Sequence, residues 1–325
     1  MKKLGLALGL VGALALVVPA FGHGDSQEGH GRVVVTILPS GSGDHVTSIA
    51  PQNVKIKLDG EESNTARITP LRAATSPIEL VLLIDGSART SLGQQFNDIN
   101  TFVKEMPTNA KIGIAYMENG QAVMAGPLSA NPDKVMSSLR LPAGTPGSNA
   151  SPYFCLSDLA KQWPSNDPAA RRTVVMITNG VDNYERRLDF NDPYVQAAIN
   201  DSVRAGIVVY SMYWQDVSTR GNSLYEASTG QNLLFMVTQA TGGHSYWQGI
   251  GNPVSFGPYF DDLRRRLSHQ YELSFTAPFN GKPKVMNLKV ELRLPSAKVE
   301  LRLPSARVDA PQKALVGAEV TTSGK

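Results

Sequence analysis

The stretch that decides the fold is residues 78–96, IELVLLIDGSARTSLGQQF. Its five consecutive apolar residues, 80–84, suit a strand covered on both faces, as in a parallel sheet. The run stops at Asp85, turns through Gly86 and Ser87, and leads into a helix expected near Ser91. An acid and a hydroxyl are thereby left at the carboxyl end of a central strand. In open α/β sheets that is where ligands bind.

Outward from this stretch, strands alternate with helices. Residues 111–117 (KIGIAYM), 121–125, 173–178 (TVVMIT), 207–212 (IVVYSM) and 244–247 read as strands. Helices are expected after Asn131-Pro132 and over 154–163, 192–204, 224–240 and 256–269. This alternation over 76–270 predicts an α/β domain with a doubly wound, mostly parallel sheet and right-handed crossovers. The flanks differ. Residues 32–38 (RVVVTIL) and 54–58 (VKIKL) make 32–75 a β segment, and 271–276 and 285–294 do the same for 271–309. Neither flank is large enough to fold alone. The two are expected to meet in a small accessory β layer, with flexible stretches at 23–31 and 310–325. Within the second flank, VELRLPSAK (290–298) is followed by VELRLPSAR (299–307). A nine-residue copy cannot prolong a strand without turning its apolar set to the other face, and Pro295 and Pro304 interrupt any ladder. The expectation is a hairpin turning at 295–297, or a strand followed by a surplus extended tail.

The first 22 residues have the form of a secretory signal peptide: Lys2 and Lys3, an apolar run over 4–18, then Ala20 and Gly22 at the cleavage positions. Export to the periplasm or beyond follows, with no stable membrane span once the leader is cut. Cleavage removes two of the 31 basic residues and none of the 28 acidic ones, leaving a net charge of +1. Near-neutral balance argues against a nucleic-acid partner, because phosphate binding needs clustered Lys and Arg. The one basic cluster, Arg264-Arg265-Arg266, reads as the solvated face of a helix. Cys155 is the sole cysteine, and its neighbours Phe154, Leu156 and Leu159 suggest a buried, inert thiol.

Three loops would converge at the carboxyl ends of the strands: Asp85-Gly86-Ser87, residues 144–151, and Thr178-Asn179-Gly180. The order IELVLLIDGS, KIGIAYM, SPYFCLSDLAKQW, TVVMITNGVDN, AGIVVYSMYW, TQATGGHSYW, HQYELSFTAP resembles a von Willebrand factor type A (VWFA) domain over residues 32–294. It is most similar to the secreted bacterial form flanked by β segments. The resemblance implies a metal-ion-dependent adhesion site, in which an Asp-x-Ser-x-Ser turn, a Thr from a second loop and an Asp in a Thr-Asp-Gly turn hold Mg²⁺. Asp85 and Ser87 match the first two positions, and Arg89 stands at the third. Ser151 is the candidate for the Thr position, with Thr145 and Ser148 as rivals, and Asn179 replaces the Asp. Hard oxygen ligands suit Mg²⁺, whereas a guanidinium has no acceptor. The site is therefore expected to be degenerate and without a cofactor, Arg89 lying near Asp85 in place of the ion. Any ion that did bind would use Asp85, Ser87 and Ser151. Asp182 and Asn183, just beyond the turn, are further acceptors. A purely local reading stands beside this one. Asp85 and Ser87 then cap the following helix, and Asn179 only makes a turn with Gly180 at positive φ.

These residues favour an exported, non-catalytic module for protein–protein interaction or cell adhesion. A structural part of an envelope assembly is the alternative. A hydrolase is a third class, but no Gly-x-Ser-x-Gly elbow is present, and His244 at a strand start reads as structural. Intact-mass measurement on protein from the cell envelope should show a chain beginning at His23. A full-length mass in the membrane pellet would contradict the leader.

Overall fold

The computed structural model describes residues 27–39, 49–88, 90–142, 151–182, 189, 191–215, 224–249, 251–292 and 306–318, with backbone alone at 27, 87, 90, 306 and 307. The leader, Arg89, Thr145, Ser148, Asn183 and the repeat's centre with its expected turn lie outside the described residues, as does the Ser87 side chain. The chain begins with strands β1 (Gln27–Pro39), β2 (Val54–Leu58), β3 (Glu61–Ser63) and β4 (Thr65–Pro70). An alternating unit follows: β5 (Ile78–Asp85), α1 (Phe96–Glu105), β6 (Lys111–Glu118), β7 (Gln121–Met124), α2 (Pro132–Ser137), α3 (Pro152–Lys161) and β8 (Arg171–Thr178). It continues through α4 (Pro193–Arg204), β9 (Ile207–Tyr213), α5 (Leu224–Thr241), β10 (Ser245–Tyr246) and α6 (Gly257–Ser268). Strands β11 (Gln270–Phe279), β12 (Lys284–Leu292), β13 (Ala306–Asp309) and β14 (Lys313–Gly317) complete it.

The alternating unit forms a six-stranded sheet in the order β10-β9-β8-β5-β6-β7, parallel except for the antiparallel edge strand β7. Every residue of β5 is buried. Leu80, Leu82 and Ile84 pack under α1, α2 and α6, while Val81 and Leu83 pack under α3, α4 and α5. That two-sided cover explains the unbroken apolar run. Chain direction across the sheet reverses between β5 and β8, so their carboxyl ends flank the switch point. The helix expected near Ser91 starts later, at Phe96, after a 3-10 turn over Thr90–Gln95. Gly93 is a poor helix former. The Gln95 amide is drawn away to Val254 O (3.2 Å) and Phe256 N (2.8 Å).

The doubly wound description covers only that sheet. The second sheet has eight strands, all antiparallel, in the order β3-β2-β12-β14-β1-β11-β4, with β13 also on β1. The accessory layer is therefore not small. Only Asn64 separates β3 from β4, which stand at opposite ends of this order, and Thr276 N donates to Asn64 O at 3.2 Å, so the sheet curls back on itself.

Both stretches expected to be flexible supply strands to it. Residues 27–31 pair with 275–279 of β11. A Cβ on Gly31 would lie 2.4 Å from the Phe275 ring, and one on Gly29 would lie 2.6 Å from Phe279 Cβ. These glycines mark a close approach of neighbouring strands' side chains rather than a loose terminus. Residues 313–317 form β14, between β12 and β1, with Ala314 and Val316 buried in the core.

The basic cluster is not a solvated face. Arg266 falls on the α6 stripe of Phe260, Leu263 and Leu267, is 4% exposed, and pairs at 2.5 Å with both Asp262 and Asp309. Arg264 pairs with Glu105 and Asp261. Buried Arg171 donates to Ser76 O, Leu267 O and Gln270 Oε1, tying the start of β8 to that of β11. Truncating Arg266 to Met leaves two carboxylates without their counter-charge. Arg266→Met should lose about 3–5 kcal/mol in a denaturant melt. Burial raises the Asp262 pKa, but the Arg266 hydrogen bond and charge hold it below the usual carboxylate value. Its stabilising contribution is therefore complete above that range and lost as pH falls through it. Arg266→Met should show a weaker loss of stability on acidification than the parent.

Candidate functional site

The site grows out of the parallel register. Ile84 faces Ile177 across β5 and β8, so Asp85 and Thr178 come one step later at the same level. Both are buried, and the Thr178 hydroxyl donates to Asp85 Oδ2 at 2.5 Å while accepting from Gly180 N at 3.1 Å. A carboxylate in this position needs such donors, since an unpartnered buried charge is strongly unfavourable. Thr178, placed by the sequence in one of the converging loops, is thus the principal residue that the candidate set left out. Its signal was available: TVVMIT is a buried run ending in a hydroxyl at the level where IELVLLID ends in an acid.

A second pair joins the neighbouring elements. Ser151 is fully buried, caps α3 by accepting from Phe154 N (3.3 Å), and donates to Asp182 Oδ2 at 2.6 Å. Among Ser151, Thr145 and Ser148, only Ser151 is described, and it reaches Asp182 rather than Asp85. Asn179 is 4% exposed, and its Oδ1 accepts from Val181 N at 2.9 Å. With Gly180 at φ +71°, that is the local turn. Tyr153 donates to Gly180 O at 2.8 Å, and burial beside Asp182 and Asp192 pushes its pKa well up.

Two further elements brace the turn. Trp214, just past β9, donates its backbone N–H to Thr178 O (3.1 Å) and its indole N–H to Ala88 O and Ser91 Oγ (3.3 Å each). From the other side α5 arrives at Gly230, where a Cβ would stand 2.2 Å from Asn179 O. A Cβ on Gly180 would stand 2.4 Å from Gly230 O, so both positions require glycine for the close approach. Cys155 lies beneath this layer. Burial, with Asp85 adding to it, pushes the thiol pKa up, which leaves an inert group.

Asp85, Ser151 and Asn179 therefore meet at one end of the sheet, with Thr178 and Asp182 beside them. Among the described residues, no group of three or more His, Cys, Asp or Glu side chains is placed to hold a metal ion. Of the oxygens that the resemblance assigns to Mg²⁺, those described on Asp85 and Ser151 take part in hydrogen bonds within the protein. Thr178→Val removes the donor while keeping the shape, so it should lower stability by about 1.5–3 kcal/mol. Thr178→Ser should retain most of that stability in the same melt.

No family model and no curated protein matches the chain. Among solved structures it is similar to an aerotolerance-related membrane protein of Bacteroides fragilis, 13% identical over 58% of this chain and 98% of that one, TM-score 0.42. It is also similar to BatB of Bacteroides thetaiotaomicron, 13% identical over 59% and 97%, TM-score 0.42. A third is the ArnB paralog VWA2 of Sulfolobus acidocaldarius, 9% identical over 88% and 75%, TM-score 0.39. No statement about function follows from likeness at this level. Read from its own topology, with the sheet reversing at Asp85 and Thr178, an antiparallel edge strand and helices on both faces, the alternating unit has the von Willebrand factor type A fold.

Proposed function

We propose that the protein is an exported, non-catalytic module that binds a protein partner through the loops at the switch point, without a divalent ion. The observation that supports this is the pairing of Thr178 with Asp85 and of Ser151 with Asp182. Oxygens that would be aimed at an ion are already held, and Asn179 Oδ1 is turned into its own loop. Asn179 in the place of an Asp also leaves the site one carboxylate short of the set that the resemblance implies for Mg²⁺. A site organised by its own hydrogen bonds meets its partner in one fixed shape, with little ordering left to do on association. Adhesion at the cell envelope is the setting this reading favours.

The leader supports export, and no described helix is long and apolar enough to cross a membrane. The histidines of the alternating unit are in structural contacts. The His244 ring lies 4.8 Å from that of Tyr246, and His269 Nδ1 lies 2.8 Å from Arg265 O at the end of α6. Calorimetry with Mg²⁺ and Mn²⁺ should show no saturable heat below about millimolar concentration. Capture of a partner from envelope extract should be equal with Mg²⁺ and with a chelator. A tight, saturable isotherm that disappears in Asp85→Ala would overturn the ion-free reading. Turnover of ester or peptide substrates that is lost in Ser151→Ala would overturn the non-catalytic one.

A further inference from the structure

Five aspartate– or asparagine–glycine pairs lie among the described residues, at 59–60, 85–86, 119–120, 179–180 and 280–281. Such a pair carries chemistry of its own. The glycine backbone nitrogen attacks the side-chain carbonyl of the residue before it and closes a five-membered imide, with no Cβ on the glycine to crowd the ring. The reaction needs a side chain free to rotate, an N–H that is not held, and water to open the ring. The fold withholds these conditions from four of the five pairs.

Asp85 and Asn179 are buried. The Asp85 carboxylate accepts from Thr178, Asn179 Oδ1 accepts from Val181 N, and Gly180 N donates to Thr178 Oγ1 at 3.1 Å. Asp59 and Asn119 occupy the two-residue turns joining β2 to β3 and β6 to β7. Their φ values are 47° and 51°, and the glycines that follow stand at 95° and 75°. That is the type I′ pattern, and the strands on each side hold it, with Leu58 facing Glu61 and Glu118 facing Gln121. Asp59 Oδ1 is held further by Asn287 N and Asn287 Nδ2, each donating at 2.9 Å.

Asn280 differs on every count. It lies in the four-residue connection between β11 and β12, and both it and Gly281 are exposed. Its φ is not positive, and a Cβ on Gly281 would meet nothing within 4 Å. Among the described residues, no hydrogen bond reaches either one. Pro283, in the same connection, has no N–H with which to close a turn across it.

We propose that Asn280 is a site of spontaneous deamidation, with water as the co-reactant. The Gly281 nitrogen loses its proton and bonds to Asn280 Cγ, the Cγ–Nδ2 bond breaks, and ammonia leaves. Water then opens the imide. Opening at Cγ gives aspartate, and opening at the main-chain carbonyl gives isoaspartate, in which the chain runs on through Cγ. An amide is exchanged for a carboxylate with no change of oxidation state, and the formal net charge falls from +3 by one unit. The open space around Gly281 accommodates the longer isoaspartyl backbone, so the flanking strands keep their register. Because a backbone nitrogen must be deprotonated, the rate rises with pH.

The purified protein is held for days at mildly alkaline pH and digested, and each asparagine–glycine peptide is followed by mass and by chromatographic retention. The peptide containing Asn280 should gain the acid in two forms, aspartyl and isoaspartyl. Those containing Asn119 and Asn179 should remain amides. The same chain held unfolded in guanidinium chloride should convert at all three positions. Asn280→Gln, which would have to close a larger ring, should abolish the acidic shift of the native protein on isoelectric focusing and leave the melting temperature unchanged. A native chain in which Asn280 stays intact would overturn the proposal. So would conversion of Asn119 or Asn179 that keeps pace with Asn280 in the native chain, or an acidic shift that persists in Asn280→Gln.

Discussion

A carboxylate buried at the end of a strand covered on both faces has to be hydrogen-bonded, and much of this end of the molecule follows from that. Asp85 is 3% exposed, so water cannot serve it freely. The parallel register sets Thr178 beside it as a donor. Thr178 in turn accepts the Gly180 N–H, which helps to bend residues 178–180 into their turn. The turn is what carries the chain on to Asp182 and its contact with Ser151. One electrostatic requirement at residue 85 is thus passed along a chain of hydroxyls to the start of α3.

The second sheet answers a different constraint. An antiparallel sheet built from two distant parts of the chain needs something to hold its halves to the alternating unit. Buried Arg171 and Arg266 do this with fixed geometry. Arg171 joins β8 to Gln270, and Arg266 joins α6 to Asp309. Burial lowers the Arg171 pKa to about 10, a sign of how fully the guanidinium is withdrawn from solvent. Three acceptors around it, two of them backbone carbonyls, offset that loss of hydration. Curling of the sheet, with β3 and β4 joined through Asn64, then limits how much unpaired strand edge is presented to other chains.

Long-period features were legible in the sequence, whereas close approaches were not. The order of strands and helices, the buried run of β5 and the loops at its carboxyl end could be read from periodicity. The same reasoning took Gly29 and Gly31 as signs of a loose terminus, because nothing local shows that Phe279 Cβ and the Phe275 ring come up against them. Strand β14 escaped notice because KALVG carries Ala314 and Gly317, poor strand formers, where VKIKL has β-branched residues, although it fills the centre of the sheet. The triple arginine looked solvated because composition alone does not reveal which of three neighbours faces inward. At the site, Asp85, Ser151 and Asn179 could be named from motif position. Thr178 was placed near them by its loop, but its bond to Asp85 depends on two buried runs ending at the same level, a property of register and not of either run. Asn179 behaves as its local chemistry dictates, holding the turn with its own amide oxygen.

The glycine pair gives the turn at the site a fixed shape from the protein's own packing. In the arrangement that the family resemblance implies, a cation would draw several loops together, and the loops could relax when it leaves. Here α5 meets the turn backbone to backbone at Gly180 and Gly230, with no side chain between them to change rotamer. Trp214 closes the opposite side through its own backbone and its indole N–H. A turn clamped between a helix backbone and a buried indole has few alternative conformations at low energy, since close-packed interiors deform in discrete steps. Two missing side chains and one large one thus give the turn order from the protein's own packing. For that reason an asparagine at 179 is compatible with an ordered turn at 178–182.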